Sequence, residues 1–348
     1  MVPMRTLSCL SLALAASPLS GQRPLKVVTS LPAYAAIARE ITGDRATVTA
    51  IAQGTEEPHF VQPKPSFVPL IAGADLFVTT GLDLELWVPA LLDKAGNPRV
   101  SEGGRGYVAA YAGIALLEVP ASVSRSQGDI HVFGNPHIHT DPVNGISIAR
   151  NILAGLIRVS PADSAAFTAR ERDFERRLLS AVYGEELVRL LTPEALLGLA
   201  RDRTEWAFLT RNSYQGTPLA SRVGGWAKQA QGLRGREMVC YHREWVYFSA
   251  RFGLPCADYI EPKPGIPPSP RHVQHIVELM RERRIPVVFS PNYFDRRQTR
   301  EIAARTGATA VVVPAQTEGA PDVTTYDDLV TLWVRELVAA VGAAPQTR

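Results

Sequence analysis

The chain has 348 residues, of which 46% are hydrophobic and 20% are charged, as is typical of a folded globular protein rather than a disordered one. Its 37 basic and 34 acidic residues nearly balance, giving a formal net charge of +3, and the basic residues form no dense block. Nucleic acid is therefore not the expected partner. The length is sufficient for two domains of ordinary size.

Residues 1–22 have the layout of a secretory signal peptide. Arg5 precedes an apolar run over residues 7–16, and small residues follow through Ser20 and Gly21. The run is too short to span a bilayer, and Cys9 lacks the small-residue setting of a lipoprotein signal. We therefore expect an exported, periplasmic protein that is soluble after signal removal and monomeric.

After the signal, strand and helix patterns alternate along an N-terminal domain that we place at residues 23–141. Strands are predicted at 25–30, 46–52 and 76–80, and helices at 33–42 and 84–92. Such alternation is typical of a parallel α/β sheet.

The centre of the chain has a different pattern. Residues 142–191 are almost purely helical and predict a connector, and residues 192–235 are less regular and predict a helical insertion. Alternation resumes in a second α/β domain at residues 236–345, with strands predicted at 237–241, 257–261, 287–290 and 309–313.

The turn at residues 135–142 carries His137 and His139. The Asp141-Pro142 pair that follows is typical of a helix N-cap and first helical position, so both histidines lie on a turn between two regular elements. His59 follows the strand at 46–52, and His242 follows the strand at 237–241. Because ligands bind beyond the carboxyl ends of strands in open α/β sheets, these loops are predicted to face one cleft.

Three imidazoles with a carboxylate or a water form the usual tetrahedral shell of zinc. The segments around these histidines also resemble a known family. Glu57-Pro58-His59-Phe60, Asn135-Pro136-His137-Ile138 and His242 with Tyr247-Phe248 are similar to the three ligand segments of the solute-binding proteins of zinc and manganese ABC importers.

This resemblance implies two parallel-sheet α/β domains joined by a long connector helix, with one divalent metal at their interface. It implies that His59, His137 and His242 are metal ligands. It also implies that the protein delivers its metal to the membrane permease of a cognate ABC importer. Zn²⁺ is favoured over Mn²⁺, because manganese prefers a larger share of oxygen ligands.

The fourth ligand departs from the family pattern. The family often takes a carboxylate from the loop after the strand predicted at 309–313, whereas the loop here, Pro314-Ala315-Gln316-Thr317-Glu318, has no carboxylate at the expected place. His139 is a candidate ligand that we interpret as an outer hydrogen-bond partner. Glu57 and Glu261 are loop carboxylates that we interpret as ordinary acids rather than ligands.

Other histidines and the cysteines receive weaker interpretations. His272 and His275 are interpreted as a solvated helix face, and the loop at 120–134 holds only His131, too few histidines for metal scavenging. Cys240 and Cys256 either form a disulfide or remain thiols. Export favours a bridge, whereas Cys240 is predicted late in one strand and Cys256 early in the next, and in neighbouring parallel strands these opposite ends are further apart than a disulfide allows.

These observations predict a binding protein rather than an enzyme. Two alternatives remain open at this stage. A zinc-dependent hydrolase also uses three histidines, with an open water position and a general base. An exported metal chaperone or adhesin is compatible with the same fold, because fold does not fix function.

Overall fold

The computed structural model describes residues 23–120, 131–261, 263 and 265–343. The predicted signal peptide at residues 1–22 lies outside the described residues. None of the described helices is both long and apolar enough to cross a membrane.

The first half of the chain forms a four-stranded parallel sheet with the order β2-β1-β3-β4. Its strands and helices are β1 (Leu25–Thr29), α1 (Pro32–Thr42), β2 (Ala46–Ala50), α2 (Phe67–Ala72), β3 (Leu76–Thr79), α3 (Val88–Ala95) and β4 (Tyr107–Ala109). The strand β4 was not predicted from the sequence. Its three residues are too few to establish an alternating pattern.

The helix predicted at 84–92 begins later, at Val88. The reason is the buried Glu85, whose Oε1 accepts hydrogen bonds from the Thr80 backbone N at 3.0 Å and from Ser30 Oγ at 2.6 Å. These bonds hold the residues before Val88 in a loop over the end of the sheet, instead of in a first helical turn.

The central stretch is helical but is not one continuous helix. It consists of α4 (Pro142–Val159), α5 (Ser164–Tyr183), α6 (Glu185–Leu191), α7 (Pro193–Arg201), α8 (Glu205–Arg211), a two-residue hairpin of β5 (Ser213–Tyr214) and β6 (Thr217–Pro218), and α9 (Gly225–Gln229). The first of these helices packs on the sheet of the first half, and α5, the longest described helix, packs against α1, α4 and α9.

The second half forms another four-stranded parallel sheet, with the order β10-β9-β7-β8. Its elements are β7 (Met238–Cys240), α10 (Val246–Phe252), β8 (Cys256–Tyr259), α11 (Pro270–Arg283), β9 (Val287–Pro291), α12 (Arg296–Thr306), β10 (Thr309–Val313) and α13 (Tyr326–Ala343). The predicted fold class, two parallel-sheet α/β halves with a connecting helix, is confirmed.

The core is continuous across the two halves. One cluster of buried side chains runs from the first sheet through the central helices to the last helix, where Trp333 packs edge-on against Trp245 with ring centroids 5.1 Å apart. A smaller cluster lies on the other face of the second sheet. Shared packing of this kind favours a fixed relative position of the two sheets.

Two glycines let the halves meet through their backbones. Gly54 lies in the loop after β2, and Gly319 lies in the loop after β10. A Cβ added to Gly54 would lie 2.3 Å from the Gly319 backbone N, and one added to Gly319 would lie 2.6 Å from the Gly54 carbonyl oxygen. Only glycine permits this approach at either position.

Cys240 and Cys256 form a disulfide, with their Cα atoms 5.6 Å apart. The geometric objection to this bridge was wrong. Cys256 begins β8 opposite Met238, the first residue of β7, so Cys240 lies only two residues further along the neighbouring strand and the two cysteines are diagonal neighbours.

Candidate metal centre

Each predicted ligand lies in or beside a short 3₁₀ turn; the turns of His59 and His242 follow strands, whereas that of His137 precedes α4. His59 lies in a 3₁₀ turn, Pro58–Phe60, that follows β2. His137 precedes the 3₁₀ turn Ile138–Thr140 and the helix α4, whose N-cap Asp141 accepts a hydrogen bond from the Val143 backbone N. His242 lies two residues after β7, which ends at Cys240, and precedes the 3₁₀ turn Arg243–Trp245. The sheets thus present these turns to one region between the two halves.

The structure brings His59, His137 and His242 together with a fourth histidine, His131. One ring nitrogen from each of the four lies within 4.8 Å of the others. The His59 and His131 Nε2 atoms are 3.2 Å apart. A tetrahedral zinc with Zn–N bonds of about 2.0–2.1 Å separates its ligand nitrogens by about 3.3 Å, so small side-chain movements would complete such a shell.

Sequence reasoning did not predict His131 as a ligand. Its only sequence signal was a single histidine in the loop before His137, and the path of a loop is not set by hydrophobic periodicity. In the structure its Nδ1 lies 3.0 Å from Asp83 Oδ1, and its backbone neighbour Val132 donates to the other oxygen of the same carboxylate at 2.9 Å. Asp83 therefore places this histidine at the cluster.

All four rings are oriented through their Nδ1 atoms. His59 Nδ1 lies 3.2 Å from Glu57 Oε1, His137 Nδ1 lies 3.0 Å from Asn135 Oδ1, and His242 Nδ1 lies 3.0 Å from the Glu261 carbonyl oxygen. With Asp83 on His131, every Nδ1 has an oxygen acceptor, which favours the tautomer protonated there. The Nε2 lone pairs are then available to a metal.

The four histidines divide into an inner pair, His137 and His242, and an outer pair, His59 and His131. Both inner rings are 1% exposed, whereas the outer side chains are 9% and 12% exposed. Among the residues that the structure describes, the inner Nε2 atoms are buried polar atoms that lack a hydrogen-bond partner. Such atoms are costly unless a ligand satisfies them.

Burial also sets the protonation state of the inner pair. Desolvation, followed by the neighbouring histidines, lowers the pKa of His137 well below its usual value of 6.5 and lowers the pKa of His242 to about 3. Both rings are therefore neutral at physiological pH, which is the form that binds metal.

His139 does not join the cluster. Its Nε2 lies 2.8 Å from Gln316 Nε2, so the Gln316 amide donates to the lone pair that a metal would need. Gln316 Oε1 in turn accepts from the Ala33 backbone N at 3.2 Å. Burial lowers the pKa of His139 to about 4, and its carbonyl oxygen accepts from Tyr326 Oη at 2.6 Å.

Gln316 therefore occupies the loop where the family resemblance places a carboxylate, and it binds His139 instead of a metal. The pair ties the loop after β10 to the turn that carries His137. Its role in this geometry is to support the turn.

Carboxyl groups lie behind the histidines rather than among them. Glu57 contacts the His59 ring, while the Glu261 side chain accepts from the Gly265 backbone N at 2.7 Å. Desolvation raises the pKa of each of these two groups to about 7, and it raises the pKa of the fully buried Glu244 well above 4.5. A cation bound at the cluster would favour the charged form of these carboxyl groups.

His272 and His275 lie on α11, away from the cluster. His272 Nε2 donates to the Tyr259 carbonyl oxygen at 2.8 Å, and His275 lies 3.5 Å from an Asp258 carboxylate oxygen. These contacts hold the side chains against the edge strand β8.

The sequence is similar to those of known metal-binding proteins. The sequence profile of a family described as "ZnuA: Zinc-uptake complex component A periplasmic" matches residues 27–182 and 219–340, which leaves 183–218 unmatched. Similar curated proteins include the iron-binding protein YfeA of Yersinia pestis, 24% identical over 84% of this chain and 77% of that protein. Another is the manganese ABC transporter substrate-binding lipoprotein PsaA of Streptococcus pneumoniae, 24% identical over 82% of this chain and 77% of its own length.

Solved structures share the fold. A ZnuA deletion mutant with zinc bound superposes with a TM-score of 0.67 at 19% identity, covering 93% of this chain and 100% of that one. The manganese-bound periplasmic metal-binding protein of Candidatus Liberibacter asiaticus gives a TM-score of 0.64 at 18% identity, covering 91% of this chain and 99% of that one.

Proposed function

This chain belongs to the family of the periplasmic zinc-uptake complex component A, and we propose that it captures one Zn²⁺ ion with four histidines for delivery to an ABC importer. The family consists of exported metal-binding proteins that serve ABC transporters, and not of enzymes.

The observation that carries this proposal is the orientation of the four rings. His59, His131, His137 and His242 each have an oxygen acceptor on Nδ1, and one nitrogen of each lies within 4.8 Å of the others. A shell of four imidazole nitrogens suits zinc, whereas manganese prefers oxygen. Within the described part of the chain, the cluster contains no carboxylate.

The same shell disfavours the hydrolase alternative. A catalytic zinc keeps one position open for water, whereas four histidines occupy all four positions of a tetrahedron. Among the residues that the structure describes, two carboxyl groups lie two residues from a histidine of the cluster: that of Glu57 contacts the ring of His59, and that of Glu244 is buried. A site of this kind binds a metal and has no position for an activated water.

Metal entry and release are assigned to the outer pair. The His59 and His131 side chains are the more exposed members of the cluster, and the adjacent Phe60 and Phe133 are 47% and 61% exposed. We place the approach of the ion, and its transfer to the membrane permease, on this side.

The test combines titration with X-ray absorption on the zinc-loaded protein. Calorimetry near neutral pH should show one tightly bound Zn²⁺ per chain and weaker binding of Mn²⁺, and the absorption fit should require four imidazole nitrogens. Tighter binding of Mn²⁺, or a fit that requires carboxylate oxygen, would contradict the zinc assignment.

A second pair of samples tests the ligand set. His131→Gln should lose one imidazole from the absorption fit, whereas His139→Gln should retain four. Loss of an imidazole in His139→Gln alone would show that the fourth ligand is His139 and that the assignment of His131 is wrong.

A further inference from the structure

A buried arginine on α10 uses every donor that its side chain carries. Arg251 is 4% exposed, and its Nε and Nη2 donate to the two carboxylate oxygens of Asp141 at 2.9 Å each. Its Nη1 donates to Glu205 Oε1 at 2.6 Å and to Tyr183 Oη at 3.3 Å, and Nη2 also donates to the Ala200 carbonyl oxygen at 3.0 Å. All five N–H groups are therefore satisfied, and the guanidinium has one orientation.

The two ends of this network lie beside different ligands of the inner pair. Asp141 caps α4 four residues after His137, and Arg251 lies nine residues after His242 on the helix that continues its turn. The Asp141–Arg251 pair therefore joins the turn that carries one inner ligand to the segment that carries the other.

The same two segments are joined again nearer to the rings. Three further hydrogen bonds connect them: Tyr247 Oη to the Asn135 carbonyl oxygen at 2.6 Å, Asn135 Nδ2 to the Arg243 carbonyl oxygen at 2.9 Å, and Thr140 Oγ1 to the Glu244 carbonyl oxygen at 3.0 Å. These bonds fix the two turns relative to each other.

The remaining partners of Arg251 come from a segment that the family profile does not match. Glu205 and Ala200 lie within residues 183–218, between α5 and the resumption of the match at residue 219. Glu205 is 3% exposed, and Arg251 is the cation that its carboxylate contacts. A buried carboxylate is strongly destabilising when its partner is removed, so the two groups depend on each other.

Charge in the network is balanced by neighbours. Burial alone would lower the pKa of Arg251, but the carboxylates of Asp141 and Glu205 outweigh burial and raise it. Arg203, from the same unmatched segment, lies 3.9 Å from Asp141. The segment thus supplies both an anion and a cation to the contact between the two ligand-bearing turns.

We propose that residues 183–218 position the metal centre of this protein: Glu205 fixes Arg251, and Arg251 holds the turns of His137 and His242 at the spacing that the metal requires. Arg251 and Glu205 are positioning residues that touch no metal. The inference rests on the proposed metal-binding function, which it deepens by assigning a role to a segment outside the family match.

The experiment compares two glutamates of the same segment. Glu205→Gln removes the buried charge that Arg251 contacts, whereas Glu186→Gln removes a partly exposed charge that pairs with Arg222. Zinc affinity is measured by competition with a chromogenic chelator, and the visible spectrum of the Co²⁺-loaded protein reports the geometry of the site. We expect Glu205→Gln to weaken zinc binding roughly 2- to 30-fold, the range for residues that act on a site without contact, and to change the cobalt spectrum. Glu186→Gln should change neither.

A stabilising role alone gives a different result. It would lower the melting temperature of the metal-free Glu205→Gln protein while leaving zinc affinity and the cobalt spectrum as in the wild type, and this outcome would overturn the inference. If Glu205→Gln does not fold, Glu205→Asp keeps the charge and withdraws it by one methylene, and it must still change the cobalt spectrum. Failure of the wild type to bind zinc would instead refute the proposed function itself.

Discussion

The inner and outer pairs of histidines have the same chemistry but are held in different ways. The inner pair, His137 and His242, is buried, and its two turns are joined by hydrogen bonds from side chains to backbone carbonyl oxygens and by the Asp141–Arg251 pair. The outer pair, His59 and His131, lies on separate loops, and a carboxylate orients each ring. We infer that the inner pair is preorganised and that the outer pair closes the shell around the ion.

This difference has an energetic consequence. A preorganised ligand loses little conformational freedom when the metal binds, whereas a ligand on a loop must be ordered at that moment. The inner pair should therefore determine how tightly zinc is held, and the outer pair should determine how fast it leaves. Four substitutions or conditions test this division, from the largest expected effect to the smallest.

Removal of an inner ligand should have the largest effect. His242→Ala should weaken zinc binding roughly hundredfold to thousandfold, because structural zinc sites gain about 10–16 kcal/mol from four ligands, or about 2.5–4 kcal/mol from each. Isothermal titration or chelator competition measures the change. His272→Ala is the matched control, since the His272 ring donates to the Tyr259 carbonyl oxygen on β8 and lies away from the cluster. Equal losses in the two variants would contradict the assignment of His242.

Removal of an outer ligand should reduce the affinity for zinc less than removal of an inner ligand does, and it should act mainly by making zinc dissociate faster. His131→Ala should weaken binding roughly tenfold to hundredfold, because water reaches the more exposed side of the site and occupies the vacant position. Stopped-flow measurement of zinc transfer to a chelator should show that most of the loss lies in faster dissociation. A loss as large as that in His242→Ala would remove the distinction between the pairs.

Loss of an orienting carboxylate should have a smaller effect. Asp83→Asn leaves one oxygen to accept from His131 Nδ1 but removes the charge that favours this tautomer, and we expect about tenfold weaker binding. Asp93→Asn, an exposed aspartate on α3, is the control. If the two variants bind zinc equally well, His131 does not depend on Asp83.

Acid should destabilise the metal-free protein modestly through the inner pair. The pKa of His242 is lowered to about 3 by burial, so between about pH 6.5 and pH 3 the unfolded chain binds a proton that the folded chain does not. The free energy of unfolding therefore falls as pH falls through this window. Melting temperatures of the metal-free protein, measured from neutral pH to about pH 4, should show a shallower decline in His242→Gln than in His272→Gln.

Two variants must be compared because other ionisable groups change the free energy of unfolding in the opposite direction as the pH falls. Burial raises the pKa values of Glu57 and Glu261 to about 7, so each contributes stability in acid that is lost as pH rises through that value. These contributions are common to both variants and cancel in the difference. Identical slopes in the two variants would show that His242 is not held neutral by burial.

Much of the fold was predictable because parallel strands and their helices leave strong periodic patterns. The strand at 309–313 was predicted with the bounds that β10 has. The convergence of His59 and His242 followed from one general rule, that loops at the carboxyl ends of strands face a common crevice. Their role as ligands stays a prediction.

What the sequence did not reveal depends on contacts between residues far apart in the chain. The approach of His131 to the cluster depends on Asp83, which lies 48 residues away. The exclusion of His139 depends on Gln316, 177 residues away, whose amide occupies the Nε2 lone pair. Neither contact has a periodic signature, and each is decided by the path of a loop.

The close approach of Gly54 and Gly319 limits how the site can vary. The loop that leads to His59 rests on the loop that carries Gln316, with no side chain between them at these two positions. A methyl group added at either glycine would force the two loops apart and widen the cleft between the halves. The width of the cleft therefore depends partly on the absence of side chains at Gly54 and Gly319, two residues that are not among the clustered histidines.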